Sequence, residues 1–200
     1  MNKLLTILVI MLAATILISC ETEKTVDPDY RDFFVKYYGD AGNQQGVDLV
    51  ISNDGSILLL GNTDKNNEHR FFVTKIDTAG NILRHRTYGE GSSIIETAVD
   101  IEQTSDGNFI IAIQRTATTG NRDTKLLVIS PDLVGQDSVV FNNTVIADNT
   151  GDEAVSSVTP YQLNGETGFL VTGSTTLVST PDDITDPFVY KIDQNLNLDP

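Results

Sequence analysis

Internal repetition constrains this sequence more than any other feature, because three segments carry the same order of motifs at a spacing of about 50 to 60 residues. The second segment departs from the pattern at Ile113 and at Val128-Ile129-Ser130. A period of this length predicts an array of similar structural units. The matching positions are Asp54-Gly55 with Asp106-Gly107, Gly61 with Gly173, Lys75-Ile76-Asp77 with Lys191-Ile192-Asp193, Tyr38-Gly39 with Tyr88-Gly89, and the strand starts Ile57, Phe109 and Phe169.

The runs inside each segment have the composition of β-strands. VDLVIS, SILLLGN and FFVTKID are short and rich in β-branched, leucine or aromatic residues, and Asn-Asp-Gly, Ser-Asp-Gly or Thr-Ala-Gly-Asn separates such runs. Asp-Gly between apolar runs indicates a hairpin, because glycine accepts positive φ. No helical periodicity long enough for a crossover lies between the runs, so the sheets are predicted to be antiparallel. The first unit is predicted to have strands at 47–52, 56–62, 71–77 and 82–88.

The segments resemble bacterial β-propeller repeats, in which a D-G turn, a G-N/S-T strand end, an F/V-V-x-K-I-D strand and a Y-G follow one another. The resemblance covers 33–200 and implies an all-β fold of antiparallel four-stranded blades, with about three blades present at 47–88, 97–141 and 154–200. The strand at 33–38 matches the outermost position of a preceding blade.

Three blades are fewer than the four to eight that close a propeller ring. The ring is therefore expected to be incomplete, and the chain is interpreted as the N-terminal part of a longer protein. An oligomer that closes the ring, or a small sandwich, is the alternative.

The N-terminus has the layout of a secretory signal. Lys3 precedes an uncharged apolar run of 15 residues, Leu4 to Ile18. That run is shorter than the roughly 20 residues of a membrane-spanning helix. It ends in Leu17-Ile18-Ser19-Cys20, which resembles the bacterial lipobox, where a small residue precedes a lipid-attachment cysteine.

This resemblance implies a signal peptide at 1–19, lipidation of Cys20 and a polar tether at 20–32. The protein is then expected to be exported and held by its lipid to a membrane of the bacterial cell envelope, with the outer membrane as the expected site. An ordinary signal peptide followed by an incidental cysteine is the alternative. Cys20 is the only cysteine, which excludes an intramolecular disulfide.

Charge excludes one class of partner. The chain has 28 acidic and 13 basic side chains, a net charge of −15. An acidic surface repels phosphate backbones, so nucleic-acid binding is not expected.

Candidate binding residues follow from strand direction. Because antiparallel strands alternate, the connections from outer to inner strand and from second to third strand lie at one end of each unit. Insertions concentrate there, and binding residues usually lie on variable loops held by a rigid scaffold. The predicted binding loops carry Asp40, Gln44, Asp64, Asn66, His69, Arg70, Glu90, Asp123, Asp182 and Asp183.

No catalytic motif is present in the sequence. It has no G-x-S-x-G, P-loop or G-x-G-x-x-G, and neither His69 nor His85 has partners at metal-ligand spacing. The acidic clusters at 148–153 and 182–183 do not match an EF-hand and are interpreted as solvated loops. No catalytic residue, metal ligand or cofactor is predicted.

The sequence therefore favours a non-enzymatic, envelope-anchored binding module that presents a propeller scaffold to an unidentified protein or glycan. Two alternatives stay open. One is a glycan-active propeller enzyme whose catalytic blades lie outside this sequence, and the other is a purely structural surface component.

Overall fold

The computed structural model describes residues 35–39, 42–65, 68–117, 120–141, 152–177 and 184–198, all within the unit Phe34–Pro200. The signal peptide, Cys20 and the tether lie outside the described residues, as do the predicted binding residues Asp40, Asn66, Asp182 and Asp183. Over the described ranges the chain forms β-strands and no helix. Accordingly, no helix among them is long and apolar enough to cross a membrane.

The strands form three antiparallel sheets, which confirms the predicted all-β fold of antiparallel units, although the third sheet has three of the four predicted strands within the described residues. The first sheet has the order β1-β2-β3-β4 and the second β5-β6-β7-β8, whereas the third contains three strands in the order β11-β10-β9. The strands are β1 Asn43–Ile51, β2 Ile57–Lys65, β3 Glu68–Ile76, β4 Ile82–Tyr88, β5 Ile95–Gln103, β6 Phe109–Thr116, β7 Arg122–Ile129, β8 Gly135–Phe141, β9 Asp152–Leu163, β10 Glu166–Leu177 and β11 Ile184–Asp193.

The Asp-Gly sequences form tight turns, as predicted. Gly55 and Gly107 have φ of 80° and 87°, values that glycine adopts without steric cost. The Gly55 amide donates to the Ser52 carbonyl at 2.9 Å, and the Asp54 carboxylate accepts the Ser56 amide at 2.9 Å. The side chain therefore caps the same turn that the glycine permits.

The strands are longer than their apolar runs. β1 begins at Asn43, β2 runs to Lys65 and β3 begins at Glu68, with the pairs Asp64–His69 and Lys65–Glu68. Backbone pairing does not require apolar side chains, so the hairpin extends past the core into polar sequence. The loop assignments of Gln44, Asp64, His69, Arg70 and Asp123 are therefore wrong: these residues lie in the ends of strands.

Two apolar clusters join the three sheets. In β6, Phe109 and Ile111 belong to the cluster shared with the first sheet, whereas Ile110 and Ala112 belong to the cluster shared with the third. Phe109 to Ile113 of β6 form an uninterrupted apolar run because both faces of that part of the strand are covered. The second sheet therefore lies between the other two.

Hydrogen bonds between the sheets recur at equivalent positions. The Asn62 side chain bonds both the carbonyl and the amide of Ala98, at 3.0 and 2.8 Å. One repeat later, Gln114 donates to the Glu153 carbonyl at 2.7 Å and accepts the Val155 amide at 3.2 Å. We call these two side chains the amide clamps.

The innermost strands are joined by a second recurring bond. The Asp48 carboxylate of β1 accepts the Ile101 amide of β5 at 3.2 Å, and the Asp100 carboxylate of β5 accepts the Val158 amide of β9 at 2.8 Å. Both aspartates follow a β-bulge in their strand, which re-aims the side chain toward the next sheet.

The outermost strands show a third recurrence. The Tyr88 hydroxyl at the end of β4 donates to the Leu133 carbonyl in the β7–β8 turn at 2.7 Å. The Tyr38 hydroxyl donates to the Gly80 carbonyl in the β3–β4 turn at 2.9 Å. Tyr38 thus contacts the first sheet as the end of β4 contacts the second, but residues 35–38 form no strand, so the predicted strand at 33–38 is wrong over its described part.

Candidate functional site

Four of the predicted binding residues line one cavity of about 280 Å³ at the end of the first sheet where β2 meets β3. We call this end of the sheets the loop end. Glu96 and Thr97 of β5 contribute the wall from the second sheet. The four predicted residues are Gln44, Asp64, His69 and Arg70.

The cavity is rich in hydrogen-bonding groups. The Arg70 guanidinium pairs with Glu68 at 2.8 Å, and His69 Nδ1 lies 3.7 Å from the Asp64 carboxylate. Arg70 Nε and Thr63 Oγ1 are buried atoms without a hydrogen-bond partner, and their residues are directly opposite in the β2–β3 register. Unpaired buried polar atoms at a cavity wall leave hydrogen-bonding capacity that a ligand can satisfy.

The other two described candidates, Glu90 and Asp123, belong to a neighbouring ion-pair cluster centred on Lys125. Lys125 Nζ lies 2.6 Å from carboxylate oxygens of both Glu90 and Glu96. Arg115 bridges Glu90 and Asp123, each at 3.3 Å. The cluster lies at the loop end, between the first cavity and the third sheet.

Burial and pairing set the charge states of the cluster. Burial works to lower the pKa of Lys125, but its bonds to Glu90 and Glu96 outweigh burial and raise that pKa. The hydrogen bond from Lys125 lowers the pKa of Glu90. Burial raises the pKa of Asp123 in spite of the nearby Arg115. Lys125 and Glu90 therefore stay ionised near neutral pH and satisfy each other.

Sequence reasoning missed Glu96, Arg115 and Lys125. The available signal was a lysine in the apolar strand TKLLV, at the position held by Phe72 and Phe188 in the other units. A charge at a repeated core position must be paired. Glu96 supplies that pairing with a side chain only 1% exposed.

The interpretation of the acidic cluster at 148–153 as a solvated loop is wrong for Asp152 and Glu153, which lie in a strand. β9 begins at Asp152, and Glu153 is fully buried. The Tyr190 hydroxyl donates to its Oε1 at 3.0 Å, while Oε2 has no partner. Burial raises the pKa of Glu153, so its carboxyl holds a proton more tightly than an exposed glutamate.

The inner-strand carboxylates bear on the enzymatic alternative. Burial, followed by the hydrogen bond with Asp48, raises the pKa of Asp100. Both carboxylates also accept backbone amides of the next sheet, as described above, so they join neighbouring sheets. Among the described residues no group of three or more His, Cys, Asp or Glu side chains is arranged to hold a metal ion.

Searches with this chain against protein-family models and against curated protein sequences find no match.

Proposed function

We propose that this chain is an exported lipoprotein, anchored through Cys20 to the bacterial cell envelope. In this proposal the three sheets are consecutive blades of a β-propeller that acts as a non-enzymatic binding module. The observation that carries the proposal is the recurrence of the same inter-sheet contacts at equivalent positions. The amide clamps, the inner-strand aspartates and the Tyr38 and Tyr88 hydroxyls each appear twice along the array.

Recurring contacts support a propeller because equivalent bonds impose equivalent rotations between neighbours. An array built from one repeated rotation continues until it closes or is capped. The position of Tyr38 supports the same conclusion, since residues 35–39 lie where the outer strand of a preceding blade belongs.

The loop-end cavity supports a binding role. Its walls come from strand ends in two sheets, so Gln44, His69 and Arg70 are held by a hydrogen-bonded scaffold. Arg70 Nε and Thr63 Oγ1 retain hydrogen-bonding capacity there. In the adjacent Lys125 cluster each charged side chain has an oppositely charged partner, although Arg115 Nε is also a buried atom without a hydrogen bond. This pairing favours a structural role for the cluster.

Anchoring is tested by metabolic labelling with a radioactive fatty acid in a bacterial host. The full-length chain is expected to incorporate label and to sediment with membranes. Cys20→Ala should abolish both, and Ser174→Ala, a change far from the signal, should abolish neither. Equal labelling of the Cys20→Ala variant would rule out the lipoprotein assignment.

Binding at the loop end is tested by chemical cross-linking in the envelope, followed by pull-down of the tagged full-length protein. His69→Ala with Arg70→Ala should remove any specific partner. Arg84→Ala is the matched control, because Arg84 lies on the exposed strand β4 and makes only a surface pair with Asp132 at 3.2 Å. A partner that is lost with the control, or kept by the double variant, places binding elsewhere.

A further inference from the structure

The third sheet departs from the repeat at the end opposite to the loop end, which we call the turn end. In the first two sheets the inner hairpin closes after the pairs Ile51–Ile57 and Gln103–Phe109. In the third sheet pairing continues past Pro160–Phe169 by three further pairs: Tyr161–Gly168, Gln162–Thr167 and Leu163–Glu166. The extension is closed by Asn164-Gly165, both at positive φ, a combination that favours a type I′ hairpin.

This extension forms one wall of a cavity of about 510 Å³. Asn53 of the β1–β2 turn and Gln103 to Asp106 at the β5–β6 turn form the facing wall, and Gln194 and Asn195 after β11 close the side. All three sheets therefore contribute to one concave surface at the turn end. Without the three extra pairs, Tyr161 and Gln162 would lie outside paired structure and the wall would be missing.

The lining combines neutral polar groups with apolar surface. Side-chain amides come from Asn53, Gln103, Gln162, Gln194 and Asn195, hydroxyls from Thr104, Ser105 and Thr167, and apolar surface from Val128, Pro160, Phe169 and the Tyr161 ring. The lining residues include no cation. Their one carboxylate, Asp106, already bonds the Thr104 hydroxyl and the Asn108 amide.

Several of these groups are fixed before any ligand arrives. The Gln103 side chain accepts a hydrogen bond from the Asn53 backbone amide at 2.9 Å and donates to the Gly107 carbonyl at 3.3 Å. Lys191 Nζ lies 5.6 Å from the centre of the Tyr161 ring and is itself paired with Glu166 at 3.1 Å. A cation over one face of the ring holds the ring in place.

We propose that this cavity binds a neutral saccharide. A sugar presents hydroxyls that both donate and accept, which matches side-chain amides, and an apolar face of C–H groups, which matches an aromatic ring. A cavity without free charge in a chain of net charge −15 disfavours an ionic ligand. The proposal deepens the proposed binding role, but it places the ligand at the opposite end from the Arg70 cavity.

The test uses the mature chain carrying Cys20→Ser, which omits the lipid. This protein is titrated separately with chitotriose and with maltotriose, and the chemical shifts of its backbone amides are followed by NMR. At least one sugar should shift residues 53, 103–105 and 161–167. Tyr161→Ala should weaken binding by on the order of tenfold, whereas Tyr161→Phe, which keeps the ring, should bind and should report that the hairpin is intact. Tyr37→Ala is the matched aromatic control, since Tyr37 is 97% exposed and outside the cavity.

Three results would overturn the saccharide site: no shift with either sugar up to about 10 mM, unchanged affinity in Tyr161→Ala, or shifts at these residues with a tetra-alanine peptide and not with sugar. None of them bears on the cross-linking result for His69 and Arg70. Failure of the saccharide site is therefore distinguishable from failure of the proposed function.

Discussion

At the scale of single residues, the buried charges are the features with the largest energetic consequence. Lys125 and Glu96 have side chains that are 11% and 1% exposed, and they lie 2.6 Å apart. Removing water from both charges is costly, and their attraction offsets that cost only while both are present. Glu96 lies in β5 and Lys125 in β7, so the pair links two strands of the second sheet at the loop end more than it adds to stability.

Lys125→Met should lower the free energy of unfolding by about 3–5 kcal/mol, because Glu96 is left buried without its partner. Adding Glu96→Gln to this variant should restore much of the loss, since the remaining charge is removed. Urea denaturation at pH 7 measures both. Arg84→Met, which removes an exposed pair, should cost less than about 1 kcal/mol. Equal losses for the two single variants would contradict the role assigned to burial.

Glu153→Gln should raise the free energy of unfolding at pH 8, by about 1 kcal/mol or more. The folded state raises the pKa of this carboxyl, so its stabilising effect is complete below the unfolded value near 4.5 and is lost as pH rises through the folded value. Glutamine carries no charge at any pH and still accepts from Tyr190. The gain should vanish near pH 4, and Glu166→Gln, a change at an exposed pair, should show no such dependence.

At the scale of strands, a repeated glycine and a repeated aromatic residue explain each other. Gly61 pairs with Phe72, and Gly173 with Phe188. A Cβ added at Gly61 would lie 2.3 Å from Phe72 Cζ. In the second sheet Ile113 stands opposite Lys125, where no ring needs the space. The departure of Ile113 from the sequence pattern thus accompanies the loss of the aromatic side chain across from it.

Gly173→Ala should destabilise the fold by about 1–3 kcal/mol. Its Cβ would lie 2.3 Å from the Ala154 carbonyl and 2.5 Å from Phe188 Cζ, and the backbone oxygen cannot move aside cheaply. Gly135→Ala is the matched control, because its nearest neighbour would be the Leu127 side chain at 3.8 Å. Thermal unfolding of both variants decides the matter: similar melting temperatures would show that the β9–β10 contact is not tight.

Element type and order were predictable from the sequence, whereas strand ends and charge pairing were not. Apolar runs and Asp-Gly turns locate hairpins such as 47–62, because both signals are local. The continuation of β2 to Lys65 depends on backbone pairing that polar side chains neither favour nor prevent. Lys125 and Glu96 are 29 residues apart in the sequence, and no local sequence pattern predicts a contact over that separation. The sequence could predict that Gln44, Asp64, His69 and Arg70 lie together, because the predicted hairpins place these residues at the same end of the sheet.

At the scale of the whole described molecule, acidic groups set the response to pH. Burial raises the pKa of four carboxyls. Hydrogen bonds lower the pKa of several turn carboxyls, mainly the bond from Lys75 for Asp54 and the bond from Thr104 for Asp106. A carboxyl with a raised pKa loses its contribution to stability as pH rises, and a carboxyl with a lowered pKa loses its contribution to stability as pH falls. The four raised carboxyls are Asp100, Glu102, Asp123 and Glu153.

The melting temperature should therefore pass through a maximum at mildly acidic pH, at about 5 to 6, and decline toward pH 8 and below about pH 4. Repulsion within a chain of net charge −15 increases as further carboxyls ionise, so it also lowers the melting temperature toward pH 8. Differential scanning calorimetry from about pH 3 to 8 measures the profile. A melting temperature that climbs steadily from pH 5 to 8 would show that the raised carboxyls are not the dominant groups.

The amide clamps have a consequence for how such an array changes over generations. Asn62 and Gln114 form hydrogen bonds with main-chain groups of the next sheet. The strand that they contact can therefore carry alanine between the first and second sheets and valine between the second and third. A contact between sheets that uses the backbone of one strand tolerates substitution of the side chains on that strand. Duplicated segments can then drift far apart in sequence while each copy still docks on its neighbour, and only the clamp residue itself must retain an amide.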